Sequence, residues 1–319
     1  MKTMIRLVVV TLVCMLTCSK TLHASVKSHM TVDNIIFSMD RPMQLWACLE
    51  SSEKYVTGIH KVHVLYRSSS KAYEEAYRVV RARFPKVHFH RQGPDPAKDF
   101  KPLLLTIVHL LPKTSQYIMF TVDDIIMTGK VDVTKCTKAM EKYRAWGFFL
   151  RLGLHIRRAY FFPDEKTPRP HGRRVGSGRR MFLWTFKDGR RDWRCCNSVD
   201  NVIYRKNDIL ESLKKEEYVS PNYLEASWLK SKYRDLSRLG ICYNRAKNIN
   251  LPMNNVSGAF ENKCEHSFSP AQLLEKFQQG FKIDISKFHN VRNSCPHVIY
   301  RPRFIKREKV STVLHKRSK

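Results

Sequence analysis

Between residues 32 and 126, apolar stretches of strand length alternate with stretches of helical period, and this alternation restricts the fold more than any other feature of the chain. Residues 32–38, 62–66, 87–90 and 117–122 read as strands. Helices are expected over 43–55, 71–83 and 100–111. Pro42 opens the first helix, Ser68, Ser69 and Ser70 offer caps for the second, and Pro102 in the first turn with Pro112 beyond the end brackets the third. Strands separated by helices of this length need crossover connections. The pattern therefore predicts an α/β fold, a mostly parallel sheet flanked by helices.

The fourth strand ends abruptly in two adjacent carboxylates, Asp123 and Asp124. Open α/β sheets bind ligands outside the carboxyl ends of their strands. Hard oxygen ligands at that place suit Mg²⁺ or Mn²⁺ holding a diphosphate, the layout that a nucleotide-sugar site requires.

Beyond Asp124 the order is less regular. Residues 134–143 read as a helix and 146–153 as a buried strand. Arg151 lies among Phe148, Phe149, Leu150 and Leu152, so its charge must meet a partner or water. Residues 164–180 read as a mobile Pro/Gly/Arg-rich loop. Residues 157–194 hold twelve Lys/Arg against four Asp/Glu. A strand is expected over 199–204, then a helix through Lys215 capped by Asn207 or Asp208, a helix over 223–233, a loop over 263–269, and a helix over 270–279 stopped by Gly280. Residues 301–319 read as a loose basic tail.

The apolar share of 43% excludes a disordered chain, and 319 residues suffice for a substantial core. The net charge of +30 implies anionic partners such as an anionic membrane surface, lipid phosphates, acidic glycans or nucleic acid. Residues 1–25 combine a basic start with an apolar stretch from Leu7 to Cys18, followed by Ala24 and Ser25. They read as a secretory signal cleaved after Ala24 or Ser25, or as an uncleaved signal anchor; the chain is expected to be exported or membrane-associated. Of nine cysteines, Cys14 and Cys18 lie in this leader. The other seven show no disulfide framework and no Cys-x-x-Cys zinc pattern, and Cys48 and Cys136 read as core residues. In a secretory lumen, Asn255-Val256-Ser257 would be a glycosylation sequon.

Several segments together resemble GT-A-type glycosyltransferases, including hypothetical glycosyltransferases of chlamydia-like bacteria. They are Phe37-Ser38-Met39-Asp40-Arg41-Pro42-Met43-Gln44-Leu45, Asp99-Phe100-Lys101-Pro102-Leu103, Val122-Asp123-Asp124-Ile125-Ile126, Leu150-Arg151-Leu152-Gly153, the stretch from Val199 to Arg205, and the stretch from Pro221 to Trp228. The likeness runs from about residue 33 to about 300 and rests on the order of the motifs. It departs from the family at the metal motif, where adjacent aspartates replace Asp-x-Asp and Thr121 stands where an outer acid could be.

The resemblance implies a GT-A-like catalytic domain over 30–245 and a part over 246–300 that completes the site. It implies transfer of a sugar from a nucleotide-diphosphate donor to a glycan or lipid-linked acceptor, assisted by Mn²⁺ or Mg²⁺. Ser38, Arg41 and Arg67 would hold the nucleoside, and Asp123 and Asp124 the ion, or one of them the ribose. Lys101 would either meet phosphate or remain a solvated helix lysine. His297 is the preferred third metal ligand, with His266 and His289 as competitors. Glu225 would act as general base, with Trp228 on the same helix face as a sugar platform; Asp200 is the second acid candidate. Arg151 would bind diphosphate or acceptor, and the Arg-rich loop would be a lid or a seat for an anionic acceptor. The alternative is a non-catalytic basic protein that binds nucleic acid or an anionic polymer through the basic loop and the nearby Trp184 and Trp193. No nucleic-acid module is legible, so nucleic acid is not the expected partner.

Overall fold

The computed structural model describes residues 31–111, 115–160, 162–256, 268–289 and 291–308. The leader, Ser257 of the sequon, Cys264, His266 and most of the basic tail lie outside the described residues. One nine-stranded sheet dominates. Its strands in chain order are β1 (Thr31–Met39), β2 (Ile59–Arg67), β3 (Val87–Arg91), β4 (Ser115–Val122), β5 (Gly147–Phe149), β6 (Gly172–Val175), β7 (Met181–Thr185), β8 (Val202–Arg205) and β9 (Leu239–Tyr243). They lie in the order β6-β7-β9-β5-β8-β4-β1-β2-β3. β1 pairs in parallel with β2 and β4, β2 with β3, and β5 with β9. β8 is antiparallel to both of its neighbours, β4 and β5, and β7 to both β9 and β6. Only β8 and β7 therefore run against the other strands, which bears out the expected mostly parallel α/β sheet.

The helices are α1 (Pro42–Tyr55), α2 (Lys71–Arg83), α3 (Pro96–Leu110), α4 (Val133–Tyr143), α5 (Lys206–Lys215), α6 (Pro221–Lys230) and α7 (Pro270–Gln278). Successive strand residues face opposite layers. Ile35, Phe37, Leu65, Ile118 and Phe120 pack with Phe100 and Leu104 of α3, Ile209 of α5 and Trp228 of α6. Ile36, Val64 and Tyr66 pack with Leu45 of α1, Tyr77 of α2 and Phe277 of α7. Met119, Phe148 and Ile203 pack with Cys136 and Met140 of α4. Strands buried on both faces explain the near-continuous apolar runs of β1 and β4.

Several boundaries move from the sequence reading. α3 starts at Pro96, capped by Asp95 accepting from the Ala97 amide, so Pro102 is inside the helix. The strand expected over 146–153 is only Gly147–Phe149, and Arg151 lies past its end. The loop over 164–180 includes edge strand β6, hydrogen-bonded to β7. β8 begins at Val202 because the preceding residues form a turn, with Asn201 at φ 58°, a conformation that asparagine tolerates. α5 begins at Lys206 without a side-chain cap, so neither Asn207 nor Asp208 caps it. α6 occupies Pro221–Lys230, with the Ser220 hydroxyl accepting from the Tyr223 amide. Gly280 ends α7 at φ 86°, as expected of a helix stop. Among the described residues no helix is long and apolar enough to cross a membrane.

Candidate active site

The reversed strand β8 builds the site. β4 carries Asp123 and Asp124 just beyond its carboxyl end. Because β8 is antiparallel, its start lies at that same end, with Val202 opposite Phe120, and this brings Asp200 beside the aspartate pair. β5 runs the other way to β8 with Phe149 opposite Val202, so Arg151 emerges at the same edge. The Asn201 amide donates to the Phe120 carbonyl at 2.8 Å and the Leu150 amide to the Asn201 carbonyl at 3.2 Å, tying the three strand ends together.

The end of β1 and the turn after it supply the opposite wall. Ser38 Oγ donates to Asp123 Oδ2 at 2.8 Å and lies 2.7 Å from the Tyr77 hydroxyl. Arg41 Nη1 is 3.1 Å from Asp123 Oδ1 and 3.8 Å from Asp124 Oδ2. Burial pushes the Asp123 carboxyl up, opposed by Arg41 and Ser38. Burial pushes Asp124 up to about 7, against the pull of Arg41 and with the help of the charges on Asp123 and Asp200. An acidic cluster this close must hold a proton or attract a cation.

The chain after residue 245 closes the site. Asn248–Asn250 pairs antiparallel with Ile125–Met127, directly after the aspartates. Asn250 Nδ2 reaches Asp124 Oδ1 at 3.4 Å. The Asn250 amide donates to the Pro296 carbonyl at 3.0 Å and the Val298 amide to the Asn250 carbonyl at 2.9 Å, which fixes His297 at the site. His297 stacks on Tyr160 and its Nε2 lies 3.9 Å from Asp200 Oδ2. The residue expected as third metal ligand thus lies at the acidic cluster, with Asp200 as its carboxylate neighbour. Burial, reinforced by Arg151, holds its imidazole below the ordinary histidine range, and Asp200 opposes this.

Glu225, in α6, accepts from Ser198 Oγ at 2.6 Å and from the Val199 amide at 2.9 Å. Burial and the neighbouring Asp200 push it up to about 7, while Arg151 and the two hydrogen bonds pull down. Arg151 Nη2 meets Asp192 at 3.2 Å, and its Nη1 meets Asp200. Asp124, Asp200 and Glu225 thus form an electrostatic chain of carboxylates, with Arg41 beside Asp124 and Arg151 paired to Asp200 in the middle.

Not every expected residue joins this cluster. Lys101 ion-pairs with Glu217 at 2.8 Å. Arg67, at the end of β2, donates to the Pro94 carbonyl at 3.2 Å. His289 sits against Tyr55, with its ring stacked at 5.9 Å. Trp228 is only 1% exposed and donates to Ser212 Oγ at 3.2 Å, so it is a core residue and cannot serve as a sugar platform. Trp184 and Trp193, 1% and 0% exposed, are likewise core residues unavailable to stack on bases. Five site residues carry no expectation from the sequence: Tyr77, Asp192, Ser198, Asn250, and Asn254, whose Oδ1 accepts from Arg41 Nε at 2.9 Å. The one sequence signal for the last is the polar alternation Asn248-Ile249-Asn250, which puts asparagine on a buried strand face just before it.

No known protein-family profile matches the chain. Over 189 residues, 55% of this chain and 24% of the relative, it is 27% identical to the "Bifunctional glycosyltransferase pgtA" of Dictyostelium discoideum. The chain is thus homologous to a glycosyltransferase and spans about a quarter of that relative's length. Among solved structures, TarS 1-349 of S. aureus is similar with a TM-score of 0.43 and 11% identity, covering 69% of this chain and 60% of that one. The same fragment in complex with UDP gives a TM-score of 0.41 and 10% identity over 69% and 60%.

Proposed function

We propose that this protein transfers a sugar from a nucleotide-diphosphate donor to a glycan or lipid-linked acceptor, on a GT-A-type site completed by the segment after residue 245. The observation that carries this reading is the convergence of Asp123, Asp124, Asp200 and Glu225 on the carboxyl edge of the sheet, flanked by Arg41 and Arg151. Homology to a glycosyltransferase over more than half the chain supports it. Ser38, near the end of β1, and Arg41, just beyond it, would meet the nucleoside end of the donor in this reading.

Among the described residues, no three His, Cys, Asp or Glu side chains converge as a metal cage. Mg²⁺ and Mn²⁺ sites in phosphate enzymes commonly use one or two carboxylates and complete the shell with waters and substrate phosphates. Asp124, a half-buried carboxylate, fits that pattern, with Asp123 beside it. A bound ion would neutralise the leaving diphosphate. Glu225 is the base in this reading. Ser198 and the Val199 amide orient it, and a pKa near neutrality suits proton abstraction from an acceptor hydroxyl. Asp200 and Arg151 fix the charge around it. Export or membrane association rests on the leader alone, and the basic residues between 157 and 194 would favour an anionic surface.

Calorimetry against UDP, GDP, CMP and their sugars, with and without Mn²⁺, tests the reading. Binding of one nucleotide, strengthened by Mn²⁺ and weakened by Asp124→Asn, is expected. A folded protein that binds none of them would sink it.

A further inference from the structure

The guanidinium of Arg41 is held from two sides. On one side Nη1 meets Asp123 Oδ1 and approaches Asp124 Oδ2. On the other, Nε donates to Asn254 Oδ1 at 2.9 Å and Nη2 donates to the Asn254 carbonyl. The backbone beneath is also fixed. Arg41 occupies the N-cap position of α1 directly before Pro42, and its amide donates to the Tyr77 hydroxyl at 3.2 Å. Asp40, at φ 50°, anchors the turn by accepting from the Ser69 amide at 2.8 Å. Arg41 is 11% exposed in its side chain, Asp123 4% and Asp124 13%. So the acidic pair already carries a half-buried, directionally bonded cation, against the two carboxylates on which a divalent ion would sit.

We infer that Arg41, aimed by Asn254, is a resident counter-cation that keeps a divalent cation off Asp123 and Asp124 while no nucleotide is bound. Asn254 is the positioning residue. It grips Nε and Nη2 and leaves Nη1 for the carboxylates. A diphosphate offers the same guanidinium a better partner, because arginine matches phosphate oxygens bidentately. On the transferase reading above, donor binding would turn Arg41 from the carboxylates toward the diphosphate and open the pair to the ion. Cation and donor would then enter together.

The test is Mn²⁺ titration of the full chain, followed by electron paramagnetic resonance of the free ion, with and without UDP. In the absence of UDP, Arg41→Ala should bind Mn²⁺ at least about tenfold more tightly than the natural sequence, since a like charge at this range is removed. Asn254→Ala, which keeps the arginine but releases its aim, should show a smaller gain in the same direction. Adding Asp124→Asn to Arg41→Ala should abolish the gain and so locate the ion. Equal Mn²⁺ affinity for the natural chain and a folded Arg41→Ala would overturn the inference. So would the absence of any gain in Asn254→Ala, should Arg41→Ala not fold. The UDP arm reads the transferase proposal separately. A tighter Mn²⁺ site in Arg41→Ala with no UDP binding in any variant upholds the counter-cation while the transferase reading fails. UDP binding with unchanged Mn²⁺ affinity in Arg41→Ala does the reverse.

Discussion

Arg151 Nη1 lies 2.9 Å from Asp200 Oδ2, a contact between the end of one strand and the turn before its antiparallel neighbour. The same guanidinium reaches Asp192 in the short turn Arg191–Arg194, so the arginine-rich region is joined to the middle of the site. Burial disfavours the charge on Arg151, but Asp192 and Asp200 outweigh it and raise its pKa. Arg151 therefore keeps its charge between the two carboxylates.

Removing one side of this buried pair leaves uncompensated charge. Arg151→Met should destabilise the protein by about 3–5 kcal/mol in urea unfolding. Asp200→Asn in the Arg151→Met background should cost less than it does alone, because both changes break one interaction. Strict additivity of the two losses would refute the coupling.

Glu225 is pushed up to about 7. Its unfolded value is about 4.3. The folded protein thus holds this proton more tightly, which stabilises the fold below about pH 4; the contribution fades as pH rises through the folded pKa of about 7. Glu225→Gln should flatten the fall in stability over this window. In catalysis the sign is opposite, since a base must be ionised. kcat/KM should rise with a midpoint near neutrality, and Glu225→Gln should lower it by about 10²–10⁴-fold. Ser198→Ala removes a hydrogen bond that favours the ionised form, so the midpoint should move up. A downward shift would count against Glu225 as the base.

Trp228 packs against Phe120 and Tyr204 at ring separations of 6.2 and 6.4 Å. Trp228→Ala should cost about 3–5 kcal/mol by calorimetric melting. Trp228→Phe, which fills most of the space, should retain the acceptor KM. A large rise in that KM with an intact fold would restore Trp228 as a sugar platform.

Away from the site, His63 Nδ1 lies 3.0 Å from His90 Nε2, and the His63 ring stacks on both His88 and His90. Burial, then His90 and His88, lower His63 to about 4, opposed by Asp33. A free imidazole titrates near ~6.5, so the unfolded chain takes up this proton first as pH falls. Stability is fully present above ~6.5 and is lost as pH drops through about 4. His63→Leu should weaken the acid dependence of Tm between pH 4 and 7. An unchanged slope would show that other groups dominate it.

The α/β class and the first four strands were legible because each is a short apolar run bounded by caps and prolines, which are local signals. Asp123 and Asp124 were legible because a buried strand cannot continue through two carboxylates. Spacing puts Trp228 on the same helix face as Glu225 but does not say how far that face is covered. The strand expected over 146–153 exceeds the observed Gly147–Phe149 for a related reason. Leu150 and Leu152 are buried in the turn that carries Arg151, so their burial imitates strand pattern.

The sequence by itself determined the alternation of elements, the place where β4 must stop, and an excess of positive charge in need of anionic partners. Only the tertiary structure decided which carboxylates meet. Asp124, Asp200 and Glu225 come together because β8 runs against its neighbours, and His297 faces Asp200 because residues 296–298 hydrogen-bond to Asn250. Strand direction and pairing across more than a hundred residues depend on how whole layers bury their faces, and no local pattern of side chains encodes that.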